Sequence, residues 1–247
     1  MDRLIYTAMS GASHTLQQQA TVGQNLSNVN TPGYRAAVNV FRAVPLVGEG
    51  LPTRAFVVGS TAGADFSQGV MQQTGRALDM AVQGRGWIAV QAENGSEAYT
   101  RNGSFQISPE GILQTRNGLN VAGDAGFITI PPNTEVTVAK DGTISTVLSG
   151  QTPNQVAVVG QIKLVNPAEE QMVRSDDGLF RTKDGKPAVA DIGVTVVPGN
   201  LESSNVNTVE AMVSMISLAR QFDMQMKVLH SADENSRQAS QLLNMNT

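Results

Sequence analysis

Leu4-Ile5-Tyr6-Thr7-Ala8-Met9-Ser10-Gly11-Ala12-Ser13-His14-Thr15-Leu16 opens a stretch that runs to Tyr34 without one Asp, Glu, Lys or Arg. Within it Ile5, Met9, Ala12, Leu16, Gln19, Gly23 and Leu26 recur at alternating spacings of four and three. That spacing predicts a helix packed against another helix. The other face carries Gln17, Gln18, Gln24, Asn25 and Ser27, where a solvated helix usually shows Glu and Lys. A helix with amides outside and an apolar stripe inside is suited to crowding by neighbours on several sides.

The C-terminal segment repeats the theme. Met215, Leu218, Phe222, Leu229, Ala232, Ser236, Ala239 and Leu243 mark one seam, and Met212, Ile216, Ala219 and Met226 mark a second beside it. Together they form an apolar surface wider than a two-stranded coil needs. Helices over 4–28 and 207–243 would be roughly 37 Å and 55 Å long at 1.5 Å per residue. If the chain leaves the helical layer near Pro32 and returns near Asn205, the two run antiparallel. Leu26 then lies near Met212, Leu16 near Phe222 and Met9 near Leu229.

Between these ends the composition changes. Of 24 glycines, 21 lie between Gly48 and Gly199, and Pro198 is the last of 10 prolines. Both residues oppose helix interiors. The middle also carries Asn94-Gly95, Asn102-Gly103, Asn117-Gly118, Asp141-Gly142, Asp177-Gly178 and Asp184-Gly185. Such pairs suit type I′ hairpin turns, and β-rich runs flank them: Trp87–Val90, Phe105–Ile107, Phe127–Ile130, Glu135–Val138 and Val156–Val165. The predicted class is therefore α+β. An antiparallel β-rich domain over 71–200 is flanked by helical assembly segments over 1–35 and 201–247, with an extended arm or hairpin over 36–70. The helices are expected to pair as an antiparallel coiled coil in the assembly.

Composition excludes several functions. The 247-residue chain has a net charge of −4, which offers no basic field for nucleic acid or anionic membrane. No window reaches the ~18 apolar residues of a membrane span, and no disulfide or thiolate metal site is available because cysteine is absent. His14 and His230 both fall in the helical tails, and Asp176-Asp177 and Glu169-Glu170 read as solvated turn or strand charge. Gly84-Arg85-Gly86 lacks the third glycine of a dinucleotide fingerprint. No enzyme, cofactor or metal site is expected. A β-rich enzyme or carbohydrate-binding module would want clustered acids and aromatics, yet aromatics make up 4% of the chain. A coiled-coil adaptor would want charged flanking positions, which the N-terminal helix lacks.

Gln24-Asn25-Leu26-Ser27-Asn28-Val29-Asn30-Thr31-Pro32-Gly33-Tyr34-Arg35 resembles the Asn-Asn-Leu-Ala-Asn-x-x-Thr-Pro-Gly-Phe/Tyr-Lys/Arg signature of the flagellar rod and hook protein family. Here Pro32 is expected to end a helix and Gly33 to allow the turn that leaves it. Leu78–Trp87 is similar to the block that opens that family's β domain, and Tyr99–Phe105 to its characteristic hairpin. Leu201–Asn207 and Val209–Met212 resemble the approach to its C-terminal helix. The blocks occur in family order over nearly the whole chain. The opening Ile5–Ala12 and the short middle resemble the proximal-rod members, ahead of the distal-rod members and the larger hook protein.

The resemblance implies a structural subunit that assembles with copies of itself and with other flagellar rod proteins. It implies export without a cleaved signal peptide through the flagellar type III apparatus, and residence in the periplasmic part of the basal body. It also implies an inner tube of N- and C-terminal helices around an export channel. The assembly interface is then expected at Ile5, Met9, Leu16, Leu26, Met212, Met215, Ile216, Leu218, Phe222, Met226, Leu229 and Leu243. The family motif rests on Asn25, Leu26, Asn28, Thr31, Pro32, Gly33 and Tyr34.

Overall fold

The structure, a computed structural model, describes residues 2–45, 55–59, 63–148 and 156–244. They fall into two compact units, one made of 1–27, 37–64 and 206–247, the other of 28–36 and 65–205. Helices α1 (Asp2–Ser27) and α2 (Thr208–Asn244) occupy the glycine-poor ends, and strands fill the middle. The class is α+β.

In the first unit α1 and α2 pack side by side and antiparallel. Thr15 Oγ1 meets Gln225 Oε1 at 3.4 Å, while Gln18, Thr21, Val22 and Asn25 share a cleft with Val213, Ser214, Ser217 and Leu218. The phase of α1 differs from the expected seam. Ala12 and Thr15 are its buried positions, and Ile5, Ala8, Gln19, Val22 and Leu26 are half-buried around them. Met9 and Leu16 lie on the outer face, 54% and 49% exposed. Small residues decide the phase. Gly11, Ala12 and Thr15 let α2 come close, and a Cβ on Gly11 would stand 3.1 Å from Gln225 Nε2. Spacing selected the stripe with the larger side chains, Met9 and Leu16, whereas the stripe that meets α2 carries smaller ones.

On α2 the half-buried or buried positions include Ala211, Met215, Leu218, Phe222, Gln225, Leu229 and Ala232 at alternating spacings of four and three, with Thr208, Ser214 and Ala219 half-buried beside them. The side chains of Ser236, Ala239 and Leu243 lie outside the described residues. The segment expected as an arm or hairpin contributes two antiparallel pairs, Phe41–Pro45 with Ala55–Gly59 and Ala37–Val38 with Gly63–Ala64. Residues 46–54 and 60–62 lie outside the described set. Asn25 fastens this segment to α1. Its amide donates to Ala37 O at 2.9 Å and its carbonyl accepts from Ala37 N–H at 2.8 Å.

The second unit is built from antiparallel pairs. A five-stranded sheet runs in the order Leu164–Val165, Trp87–Gln91, Glu97–Thr100, Phe180–Thr182, Met172–Arg174. A three-stranded sheet runs Thr134–Val138, Thr143–Leu148, Ala157–Gln161. Met80–Gln83 pairs with Thr195–Pro198, and Met71–Gln73 with Asn200–Glu202. Met80, Ile88, Phe105, Leu113, Ile144 and Ile162 meet in one core. The run expected as Phe127–Ile130 is shorter as a strand, Gly126–Phe127, and beyond it Thr129 makes a single bridge to Ile112.

The Asx-Gly turns are not type I′. Only the glycine is left-handed at Gly95, Gly118, Gly142, Gly178 and Gly185, and the preceding Asx is not. In the turn Ala92–Ser96, Gly95 N–H donates to Ala92 O and Ala92 N–H to Ser96 O, both at 2.9 Å. That is a type I turn closed by a glycine bulge. The pattern recurs at Thr115–Leu119, Ala139–Thr143 and Ser175–Leu179. Asn94, Asp141 and Asp177 accept from the backbone N–H two residues on, and this local bond selects the three-residue turn.

Gly103 differs from these: its φ is ordinary, but a Cβ would stand 1.7 Å from Met80 O. Gly103→Ala is expected to lower the urea midpoint, by a stability loss on the order of 3 kcal/mol. Gly23→Ala, in a helix with open space at its Cβ, is expected to raise stability by up to about 1 kcal/mol. Urea denaturation of the two purified variants checks both signs.

Candidate assembly interface

The first candidate surface lies on the helix pair. Along α1 the exposed stripe is Tyr6, Met9, Ser13, Leu16 and Ala20, uncharged throughout. Along α2 three residues of the second predicted seam face outward, Ile216 at 56% exposed with Met212 and Met226 also exposed, while its fourth, Ala219, is half-buried. Val209, Val213, Met224 and Val228 are exposed as well. The predicted interface residues therefore divide. Ile5, Leu26, Met215, Leu218, Phe222 and Leu229 are half-buried, whereas Met9, Leu16, Met212, Ile216 and Met226 remain on the outside. Leu243 has no described side chain. Contiguous apolar surface of this kind marks an interaction site.

The second feature is the turn that follows α1. The helix ends at Ser27, before Pro32; Thr31 N–H then donates to Asn28 O and Tyr34 N–H to Thr31 O. Pro32 thus sits inside a turn and does not terminate the helix. Gly33 is required twice over, since its φ is +69° and a Cβ would stand 2.3 Å from the carbonyl carbon of Arg101. Its N–H donates to Glu202 O at 2.8 Å. Tyr34 is buried under the Arg174 guanidinium, which stands 4.4 Å from its ring centroid and donates to Arg35 O at 3.0 Å.

The turn delivers Arg35 to a fully buried ion cluster. Arg35 Nη1 donates to Glu202 Oε1 at 2.6 Å, and Arg101 Nη1 to Glu202 Oε2 at 3.1 Å. Arg101 also donates to Val82 O at 3.2 Å and Gly84 O at 2.6 Å. Gly69 N–H completes the carboxylate shell, donating to Oε1 at 2.9 Å. Burial pushes the Arg101 guanidinium down to about 10, against the pull of Glu202, which leaves it charged at neutral pH. Among the described residues, Nε and Nη2 of Arg35 and Nε of Arg101 are buried without a hydrogen-bond partner. Asn205 fastens the same junction: it accepts from Ala36 N–H at 2.7 Å and donates to Asp65 O at 2.9 Å.

Three separate stretches meet here: the motif ending at Arg35, the hairpin Tyr99–Phe105 and the run beginning at Leu201. Residues 5–35 match the family described as "Flagella basal body rod protein". Residues 81–146 match "Flagellar hook protein FlgE/F/G D1 domain", and 197–242 match "Flagellar basal body rod FlgEFG protein C-terminal". The chain is 50% identical to the flagellar basal-body rod protein FlgF of Salmonella typhimurium, over 99% of this chain and 100% of that protein. It is 51% identical to FlgF of Escherichia coli at the same coverage. Flagellar basal-body rod protein FlgG of Buchnera aphidicola is 30% identical, over 90% of this chain and 92% of its own length.

The chain belongs to the FlgF family of flagellar basal-body rod proteins.

The family blocks therefore share one physical junction, which their separation along the chain conceals. Arg35, Arg101 and Glu202 each fall inside one of the quoted family blocks, but sequence reasoning missed that they pair. The available signal was their placement beside buried apolar runs in a chain with only 15% charged residues. Among the described residues no three His, Asp or Glu gather to hold a metal ion, and no helix is long and apolar enough to cross a membrane.

Removing one partner of a buried pair costs about 3–5 kcal/mol, whereas replacing the whole cluster by apolar residues is often neutral. Glu202→Gln is expected to destabilise the protein by that amount. The triple variant Arg35→Met, Arg101→Met, Glu202→Leu is expected to recover most of it. Urea unfolding followed by tryptophan fluorescence reads both, since Trp87 lies 5.5 Å from the Arg101 guanidinium.

Proposed function

We propose that this chain is a structural subunit of the flagellar rod, in its proximal segment, and that it self-assembles into the drive shaft that transmits motor torque. Its partners are copies of itself, other rod proteins and the type III export apparatus that delivers it to the periplasm without signal-peptide cleavage. Its helices form an antiparallel coiled coil that lines the export channel. The observation that carries this reading is the uncharged outer stripe of α1, joined on α2 by the exposed apolar side chains Met212, Ile216 and Met226. An exposed stripe containing Met9, Leu16 and Ile216 gains nothing in water, and it buries well only against further helices of the same kind.

Torque transmission needs many simultaneous contacts and no chemistry. Both units suit that demand, because the apolar helix faces sit in one and a rigid β core with a buried ion cluster in the other.

Ile216→Asp tests the reading directly. Ile216 is exposed within the chain, so the purified variant is expected to keep its circular dichroism and urea midpoint within about 0.5 kcal/mol. In cells lacking the natural gene it is expected to fail to restore swimming and to be absent from isolated basal bodies. An unpaired carboxylate in a packed interface costs several kcal/mol per copy. Wild-type swimming by Ile216→Asp would remove α2's outer face from the assembly surface.

A further inference from the structure

The β unit has two strand edges that are uncovered among the described residues. The strand Ala157–Gln161 closes one side of the three-stranded sheet and pairs there only with Thr143–Leu148. Past its far end the chain is paired again: Asp124 N–H donates to Gln161 O at 3.1 Å and Lys163 N–H to Ala122 O at 2.9 Å. Among the described residues the outward edge over 156–158 has no backbone partner. Val156 and Val158 are exposed on it, Val158 to 69%, with Leu148 and Phe127 exposed nearby in the same unit. Natural edges are guarded by charge, proline or a bulge. Here no Asp, Glu, Lys or Arg occurs from Gly142 to Ile162; the one irregularity is Val159, skipped where the partners of Ile144 and Ser145 step from Gly160 to Val158, and this bulge bounds the open stretch at Val158.

The second edge is Met71–Gln73, which pairs only with Asn200–Glu202. Ser203 N–H donates to Val70 O at 2.9 Å and Thr74 N–H to Gly199 O at 2.8 Å. By the two-residue alternation of an antiparallel ladder, the backbone groups of Met71 and Gln73 therefore point away from that partner. All three side chains of the strand are exposed, and Val70 beside it is 72% exposed. No charge occurs from Phe66 to Gly75.

We propose that these two edges recognise each other between copies: the Val70–Gln73 strand of one copy adds to the Val156–Val158 edge of the next and extends its sheet. The proposal rests on the rod-subunit reading, which supplies a second copy as the neighbour. The two stretches are of similar length, offer free backbone donors and acceptors, and bring no charge into the contact. Strand addition needs those properties. Because the edges differ, the contact is heterologous, and a heterologous contact repeats around a helix where a self-complementary edge would stop at a dimer.

The absence of native cysteine makes the pairing directly testable. Cells lacking the natural gene would co-express full-length chains carrying Met71→Cys or Gln73→Cys with full-length chains carrying Val156→Cys or Val158→Cys. After mild oxidation of isolated basal bodies, at least one mixed pair is expected to give a dimer band that neither parent gives alone. Val158→Lys, which places a guard charge on the edge, is expected to leave the purified chain folded and reduce its recovery in basal bodies at least tenfold. Absence of all four mixed cross-links overturns the proposal, as do cross-links confined to insoluble material or wild-type recovery of Val158→Lys. The unaltered chain separates the two readings. Its absence from basal bodies sinks the rod assignment and this proposal together, whereas its presence without cross-links sinks the edge pairing alone.

Discussion

The burial of Glu202 between Arg35 and Arg101 constrains the β unit more tightly than its apolar core does. The carboxylate has lost its water and holds two guanidinium groups and one backbone N–H in exchange. Neither arginine can be left without it, because an isolated buried charge is far costlier than a lost apolar contact. The residues that follow α1, the central hairpin and the residues that precede α2 must therefore arrive together. Gly33 has to be glycine because Arg101 arrives so closely, and Asn205 bonds to Ala36 because Glu202 has already placed it there.

An ion cluster is a poor way to gain stability and a good way to exclude alternatives. Met71–Gln73 and Asn200–Glu202 form a short two-stranded ladder, and short ladders slip easily. A slip of one residue would turn Glu202 to the opposite face and strand both guanidiniums. Leu201 in its place would fill the volume and leave the charges uncompensated. The register at this junction is thus set by electrostatics where hydrophobic alternation is too short to set it. In a subunit whose junction must be the same in every copy, that specificity outweighs a few kcal/mol of desolvation.

The sequence revealed features that depend on long regular patterns. The limits of α2 were legible because glycine and proline are absent after Gly199, and those of α1 because its uncharged four-three spacing runs from Ile5 to Leu26. The hairpin-rich middle was legible because Asx-Gly pairs recur between β-branched runs. Three features were not. The phase of α1 was misread because the spacing follows the larger apolar residues Met9 and Leu16, whereas the small Gly11, Ala12 and Thr15 decide which stripe meets α2. The turn type was hidden because Asn94 and Asp141 use their side chains instead of a left-handed backbone. The ion cluster was hidden because its members come from three blocks far apart in the chain, and pairing between them is a property of the fold.

The two units meet the same constraint in opposite ways. Though two of its strand edges stay open, the β unit holds a closed apolar core and a buried, paired ion cluster within one chain. The helix pair does not. Its seam is made largely of Ala, Thr, Gln and Gly on the α1 side, which bury little apolar area, while Met9, Leu16, Ile216 and Met226 stay outside. Fully burying a side chain of that size contributes about 1.5–3 kcal/mol, so much of the helices' potential stabilisation is unspent within one chain. On the rod-subunit reading this is the expected distribution. Small residues at the inner seam let the two helices behave as one element, and the large apolar residues are reserved for neighbours. The absence of charge from Leu4 to Tyr34 completes the logic, since a helix that will be surrounded on several sides can carry only groups that lose little when water leaves.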